Sequence, residues 1–485
     1  MSIYIGLDVG TTSLSAVALE AEDGALLAQE TVPNTASRRP RARGHERAEL
    51  DLAALEDLVA RLLARLAARL GEGAGAVAGI GVTGQMHGLA LLDPAGRPLA
   101  PAITWQDRRT LDAAPGGGET ILERFVGRAG GQEAFRRMGC RPAPGYLGPS
   151  LFWLAEQGAL PPEPAVACLI PDAVVAWLGG ASPRTDPTDA GSTALYDVVS
   201  RAWDVDLVRR LGIPASLLPP VEASGAPVGG LRPAVAERAG LPAGVPVTNA
   251  LGDNQASFLG SVARPAESLL LNVGTGAQVS AWTPAYAEVA GLDTRCFPGG
   301  AYLLVGAGLF GGRSYAYLAG LFRRVAEDLL GVEDLDDGDL YGRMNALAAR
   351  VLPGADGLRC APLFTGTRED PALRGSLTGL TPDNMTPGHL ARALLEGMAE
   401  GLAAFHERMA PVLGSRGQLV GAGNAIRRNP LFGEILARMF AMPLAVPRYG
   451  ESAAAGAALL AAVGVGELPD VGAAMARVRY EEAQP

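Results

Sequence analysis

The feature that most restricts how this chain can fold is a short pattern that occurs twice. Near the start, Ile3, Ile5 and Leu7 lead into Asp8-Val9-Gly10-Thr11-Thr12-Ser13, and Leu14 to Leu19 follow. Such a run reads as two strands joined by a hairpin with a tip of small residues. Val9-Gly10-Thr11 recurs 264 residues later as Val273-Gly274-Thr275, between Leu269–Leu271 and Ala277–Trp282. That spacing is more than half of the 485 residues, so it predicts a duplicated domain with one hairpin in each half. The boundary is expected near residue 260, giving halves 1–260 and 261–485.

The remaining elements read as α/β. Leu50 to Leu70 places Leu52, Leu55, Val59, Leu62, Leu66 and Leu70 on one helical face and Arg61, Arg65 and Arg69 on another. Ala78 to Val82 reads as a buried strand running into Gly84-Gln85-Met86-His87-Gly88, and Val245 to Leu251 as another running into Gly252-Asp253-Asn254-Gln255. Leu419 and Val420 lead likewise into Gly421-Ala422-Gly423-Asn424. Strands that end in small-residue loops and then helices place ligands at the strand ends. The proline-rich run from Ile213 to Pro233 reads as a surface loop system, and Ala453 to Ala462 as a helix of small residues suited to close packing.

Composition then removes whole mechanisms. All 41 basic residues are arginines; the chain has no lysine. A P-loop, a protein-kinase fold and Schiff-base or pyridoxal chemistry each need a lysine, so phosphate chemistry here must use backbone amides, hydroxyls, arginine and a metal. A net charge of −10 argues against a general nucleic-acid binder. The one basic cluster, RRPRARGHER at Arg38–Arg47, reads as a solvated loop, with an anionic-surface role as the other reading. Four cysteines (Cys140, Cys168, Cys296, Cys360), widely spaced and without a CxxC pair, imply a reducing cytoplasm rather than disulfides or zinc. The start MSIYIGLDVG lacks a signal-peptide pattern, and the apolar stretch Ser452 to Val465 is too short for a membrane span. The expectation is a soluble, cytoplasmic protein.

At the first hairpin, Gly10 permits a tight turn with exposed amides, and Thr11, Thr12 and Ser13 add hydroxyls, a concavity that binds phosphate without lysine. Asp8, just before the tip, is placed to hold a hydrated Mg²⁺. Two such hairpins, the second at Gly274-Thr275, would clamp a nucleoside triphosphate between the halves. Asp253 follows an apolar strand and a permissive glycine. It suits a general base for an attacking hydroxyl, with Asn254 and Gln255 to orient that hydroxyl. A plain capping role for a helix starting near Ala256 is the competing reading. Trp105-Gln106-Asp107-Arg108 offers a ring, a carboxylate and a guanidinium, a mixture that suits a sugar; a core tryptophan beside a surface ion pair is the alternative.

Together these motifs resemble the FGGY carbohydrate kinases, within the actin-like ATPase superfamily, over nearly the whole chain. DVGTTS at Asp8–Ser13 and NVGTGAQ at Asn272–Gln278 are similar to the family's two phosphate motifs, GAGNAIRRNP at Gly421–Pro430 to its adenosine loop, and GDNQAS at Gly252–Ser257 to the segment carrying its catalytic aspartate. The resemblance implies a ribonuclease H-like duplicated two-domain fold with an interdomain cleft. It also implies ATP and Mg²⁺ as cofactors, adenosine near Gly312, Gly423 and Asn424, and Asp253 as the catalytic base. Gln85, Met86, His87, Trp105, Asp107 and Asn254 would hold the acceptor. GQMHG at Gly84–Gly88 stands where glycerol kinases carry an Arg-Glu pair, and is similar to xylulokinases and sedoheptulokinases. LFWL (Leu151–Leu154), GDNQAS, NVGTGAQ, LFGG (Leu309–Gly312) and GTREDPALRG (Gly366–Gly375) resemble the sedoheptulokinase branch more closely. Asn254 is shared with xylulokinases, and Arg108 stands where many ketose kinases have a smaller residue. The expected reaction is phosphorylation of the terminal hydroxyl of sedoheptulose, with xylulose as the alternative. A non-catalytic ATP-binding protein of the same fold is the reading from another class. The expected partners are a small ketose and ATP, with no nucleic acid and no membrane, and a homodimer is left open.

Overall fold

The computed structural model describes residues 2–42, 44–162, 164–332, 335–364, 366, 370 and 372–481. Part of GTREDPALRG, residues 367–369 and 371, therefore lies outside the described residues.

The first sheet is built from β1 (Ile3–Val9), β2 (Ser13–Glu20) and β3 (Leu26–Pro33) as an antiparallel meander. Helix α1 (Leu52–Leu70) follows, with Asp51 as its N-cap accepting from the Ala54 amide at 3.1 Å, and carries the chain to β4 (Val77–Gly84), parallel to β1. Leu55, Val59, Leu62 and Leu66 of α1 are buried in the core against this sheet, as their spacing requires. Two corrections to the sequence reading arise on the other side of β4. The run Ile213–Pro233 is not all loop: Pro227–Gly230 forms β5 at the sheet edge, where a proline costs no ladder bond. The strand expected over Val245–Leu251 is broken into β6 (Pro246–Thr248) and β7 (Leu251–Gly252), and its register against β4 shifts by one residue between Val247–Ile80 and Leu251–Thr83. The order is β5-β6-β4-β1-β2-β3, with β7 also parallel to β4. Helix α2 (Asp253–Ser261) then leaves the sheet.

The second sheet repeats this plan. Strands β8 (Ser268–Val273), β9 (Gly276–Thr283), β10 (Asp293–Cys296) and β11 (Tyr302–Phe310) come first, followed by helices α3 (Gly312–Arg324) and α4 (Pro387–Leu413), then β12 (Gln418–Ala422) and β13 (Leu444–Ala445). The order is β10-β11-β9-β8-β12-β13. β8 and β9 form the second hairpin, and β12 lies parallel to β8 as β4 does to β1.

Near the C-terminal end, helix α5 (Ser452–Gly464) returns from the second half to pack on β1, β4 and α2. Its contacts are backbone-close: a Cβ on Gly6 would meet the Ala454 carbonyl at 1.8 Å, one on Gly81 the Ala457 carbonyl at 2.0 Å, and one on Gly456 the Ala256 carbonyl at 1.9 Å. The small-residue run therefore does what its composition suggests, joining both sheets in one core with Tyr4, Phe258, Leu270 and Val420. Between β4 and β5 an inserted unit with its own core around Phe125, Leu147, Phe152 and Leu195 extends the first half. Among the described residues the cysteines are buried and none is in a disulfide, and no helix is long and apolar enough to cross a membrane. Within the arginine cluster Arg38 pairs with Asp51, Arg39 with Glu46 and Gln106, and Arg47 with Asp112.

Candidate active site

Both hairpins end at one cavity of about 660 Å³, lined from the first half by Asp8, Thr11, Met86, His87 and Asp253 and from the second by Asn272, Gln278 and Gly423. The first tip is braced by Asn34, whose Nδ2 donates to the Gly10 carbonyl at 2.8 Å. A Cβ on Gly10 would stand 2.7 Å from the Ser13 carbonyl, so the tight turn excludes a side chain there. The Trp105 Nε1–H donates to Thr11 Oγ1 at 2.9 Å, leaving the indole partly exposed at the cavity wall. Thr12 is exposed and Ser13 half-buried beside Thr11. The second tip is braced by the Gly312 amide on the Gly274 carbonyl at 2.8 Å and the Gly311 amide on the Thr275 carbonyl at 3.2 Å. Gly423, at φ +89°, lies so near this tip that a Cβ would meet the Val273 carbonyl at 2.4 Å. Gly274, Thr275, Gly312, Gly423 and Asn424 thus gather around one strand end, with Asn424 opening the short helix Asn424–Arg427.

Asp253 is not a cap. The helix starts at Asp253 itself with Gly252 as N-cap, so the carboxylate sits in the first turn, where the helix dipole favours its charge. Burial pushes its pKa up to about 6, against the lowering effect of the Arg295 guanidinium and the Asn254 amide. Asp8 is pushed further, to about 8, by burial first and then by the charges of Asp253 and Glu451; its Oδ1 is buried without a hydrogen-bond partner. An orphaned carboxylate oxygen beside two more carboxylates fits a hydrated cation. Among the described residues no set of three His, Cys, Asp or Glu side chains forms a closed metal cage. That agrees with Mg²⁺, which is held by one or two carboxylates together with waters and phosphate.

His87 lines the same cavity. Its backbone is left-handed at φ +74°, its amide donates to Ser192 Oγ at 3.2 Å, and its Nδ1 lies 2.8 Å from the Ser192 carbonyl. A carbonyl only accepts, so Nδ1 carries the proton in this contact. Tyr146 stacks on the imidazole with centroids 3.9 Å apart and planes 3° from parallel. Met86 closes over Gly252, where a Cβ would meet Met86 Cε at 2.6 Å.

Three residues expected at the acceptor are elsewhere. Asp107 is fully buried and accepts from the Ala48 amide at 2.7 Å and from Arg109 Nε at 2.8 Å, so it braces the loop under Trp105 and does not reach the cavity. Gln85 is buried and is not among the lining residues; its backbone N–H donates to the Val9 carbonyl at 3.0 Å, and its side-chain Oε1 and Nε2 are buried without a partner. Gln255 points away, its Nε2 on the Cys296 carbonyl at 3.1 Å, because α2 turns it to the opposite face from Asp253. Asn254 does line the cavity, its Nδ2 3.3 Å from Ser280 Oγ. Sequence reasoning missed Tyr146, Arg295 and Glu451, all of which line the cavity. Each comes from a stretch with no motif of its own, and only the position of Glu451 just ahead of α5 hinted at it.

Comparison with known proteins agrees with this geometry. Residues 3–260 match the N-terminal domain, and residues 269–465 the C-terminal domain, of the FGGY family of carbohydrate kinases. The chain is 33% identical to a glycerol kinase of Thermus brockianus over 82% of this chain and 77% of that protein. It is 27% identical to a xylulose kinase of Lactococcus lactis subsp. lactis (strain IL1403) over 100% and 92%. The crystal structure of xylulose kinase from Rhodospirillum rubrum superposes with a TM-score of 0.83 at 28% identity, covering 99% of this chain and 93% of that one. With two matching domains, two equivalent phosphate hairpins and a carboxylate at the cleft, the chain belongs to the FGGY family of carbohydrate kinases.

Proposed function

We propose that this kinase transfers the γ-phosphoryl group of ATP to the terminal hydroxyl of a ketose, sedoheptulose first, in a cytoplasmic setting. The observation that carries the reading is a single cavity that brings a buried acid, Asp253, together with Met86, His87, Tyr146 and Trp105 on one side and Thr11, Asn272 and Gln278 of the two hairpins on the other. In this reading residues 1–260 hold the ketose, the first hairpin and the base, and residues 261–485 the second hairpin and adenosine. His87 Nε2 accepts from a sugar hydroxyl, and the Trp105 face packs against the carbon chain. Asp253 takes the proton of the attacking hydroxyl as the new O–P bond forms and the bond to the β-phosphate oxygen breaks. ADP leaves and the proton passes from Asp253 to solvent. Amides and hydroxyls at Thr11, Thr12, Ser13, Gly274 and Thr275 hold the phosphates. Asp8 would hold Mg²⁺, which neutralises phosphate charge when bound.

A long acceptor is favoured by space: a second cavity of about 460 Å³ shares Ala143, Tyr146 and Ala307 with the first. Xylulose is the second reading, supported by the relatives named xylulose kinase and by Asn254. Glycerol kinases among the relatives place glycerol in the same test, although Met86 and His87 replace the Arg-Glu pair. The experiment is ADP release from Mg-ATP with sedoheptulose, xylulose, ribulose, fructose and glycerol. The highest kcat/KM with sedoheptulose is expected. A preference for xylulose or glycerol replaces the acceptor but not the chemistry, and ATP binding with no stimulation by any acceptor returns the non-catalytic reading.

A further inference from the structure

One side chain of the cleft has no role in the account above. Arg295 stands on β10 of the second half, yet it lines the cavity together with Asp253, His87 and Tyr146 of the first. It is 7% exposed. Its Nη2 donates to Asp293 Oδ2 at 3.0 Å, so the ion pair balances its charge within the second half. Its Nε–H, by contrast, is buried and has no acceptor in the protein. A guanidinium is charged at every accessible pH and has five fixed donors, so a buried unused one is a defect unless a ligand completes it. The place of the defect identifies the ligand. Asp293 and Tyr146 both line the second, 460 Å³ cavity, whereas Arg295 and Tyr146 line the first. Arg295 therefore stands where the two cavities join, beyond the His87–Tyr146 stack. Because Asp293 already neutralises the guanidinium, the missing acceptor need carry no charge; a hydroxyl or carbonyl oxygen suffices.

We infer that Arg295 is an acceptor-binding residue supplied by the second half, its Nε–H donating to an oxygen of the bound ketose where the two cavities meet. The inference rests on the ketose reading and deepens it: the acceptor site draws on both halves, and acceptor length is sensed by whether an oxygen reaches Arg295. A three-carbon polyol held at Asp253 and His87 stops short of it. A ketose that reaches Arg295 gains a charge-assisted bond from the buried Nε–H, which has no acceptor in the protein.

The test is steady-state kinetics of Arg295→Lys and Arg295→Met with sedoheptulose, xylulose and glycerol. Lysine keeps the cation beside Asp293 and loses the planar Nε donor; methionine loses both. Both variants are expected to raise the KM for the best ketose by about 10- to 100-fold, the loss typical of a charge-assisted hydrogen bond. The KM for Mg-ATP is expected to stay within about twofold of the parent. The pH profile adds a readout that bracing of β10 alone would not move. Asp253 faces Asp8 on β1, Asp189 in the short helix Pro187–Ala190 and Arg295 on β10. Removing the cation in Arg295→Met should move the acid limb of kcat/KM to higher pH, and Arg295→Lys should return it. If Arg295→Met does not fold, Arg295→Lys decides the matter through the ketose KM. A folded Arg295→Lys with the parental ketose KM overturns the inference and leaves the ketose reading standing. A parent enzyme that phosphorylates no ketose overturns both.

Discussion

Two carboxylates in one cleft, pushed upward by the same burial, are set to different tasks by their neighbours. Asp253 has a cation and a backbone donor beside it and reaches only about 6; Asp8 has two carboxylates beside it and reaches about 8. A base must be ionised to accept a proton, so kcat/KM should be level above about pH 6 and fall about tenfold per unit below it. A pH–rate profile with no acid limb near 6 would remove Asp253 from that role. Asp253→Asn should cut turnover by about 10²- to 10⁴-fold while ATP binding, measured by titration calorimetry, is kept; near-parental turnover would refute the assignment. Asp8 makes a prediction about stability. Its folded pKa lies above its unfolded value of 3.8, so the native state holds a proton that the unfolded chain releases. Its contribution is therefore most favourable at low pH and is lost as pH rises toward 8. Asp8→Asn should melt higher than the parent at pH 8, with the difference shrinking at pH 5, and should lose Mg²⁺-dependent activity at both. A lower melting point at pH 8 would show that Asp8 is stabilised by contacts rather than strained by charge. At this scale the sequence was legible where a motif places the backbone: Asp8, Thr11, His87 and Asp253 all reach the cavity. It misled at Asp107, whose carboxylate is taken by Arg109 two positions on and by the Ala48 amide 59 positions away, a pairing that the Trp-Gln-Asp-Arg-Arg run offers without saying which arginine makes it.

Between residues and molecule stand the elements, and one of them holds the halves together. α5 has almost no side chains to pack, so it packs by approach, its alanine and glycine carbonyls and amides lying against Gly6, Gly81 and Gly260. A single methyl tests this. Gly456→Ala would put a Cβ 1.9 Å from the Ala256 carbonyl on α2, and should cost about 1–3 kcal/mol through backbone displacement. Gly342→Ala, on an exposed turn of the helix Asp337–Ala349 with open space around it, should instead gain about 0.5–1 kcal/mol by removing glycine's excess unfolded-state freedom. Denaturant melts of the two variants give opposite signs if close approach is what joins the halves, and the same sign if it is not. That α5 packs closely was legible from its composition. That it crosses back to the first sheet was not, since a helix without a polar face has no apolar stripe to say which way it faces. The same limit explains β6 and β7: Val245–Leu251 has strand composition throughout, and the one-residue shift of register against β4, from Val247–Ile80 to Leu251–Thr83, is set by pairing that no local pattern shows.

The whole molecule is one plan used twice, and the strand ends of the two copies can be aligned residue by residue. In the first sheet Val9 pairs with Gly84 at the ends of β1 and β4; in the second Asn272 pairs with Ala422, which brings Val273 beside Gly423. A Cβ on Gly84 would meet the Val9 carbonyl at 2.7 Å, and one on Gly423 the Val273 carbonyl at 2.4 Å. Equivalent glycines therefore stand where equivalent strands run out, each letting a loop start close under its hairpin. The loops have diverged: Gly84 leads into Met86 and His87, Gly423 into Asn424. Asp8 has likewise become Asn272, so only one hairpin keeps a carboxylate for a cation. The duplication was legible because hairpin and spacing are local facts repeated, whereas Arg295, whose meaning depends on the other half, was not. If the copies have divided their labour in this way, the same mutation should have opposite signatures in each. Gly84→Ala, by shifting the loop that starts there, should raise the ketose KM about tenfold and leave the KM for Mg-ATP near its parental value. Gly423→Ala, which adds the strain of a left-handed φ, should raise the KM for Mg-ATP by at least as much and leave the ketose KM near its parental value. Both glycines lie within a few residues of a phosphate hairpin, so a merely structural role predicts that both variants weaken ATP. Crossed KM effects would locate acceptor recognition in the first copy and adenosine recognition in the second. Parallel effects would mean that the duplicated fold binds its two substrates as one undivided site.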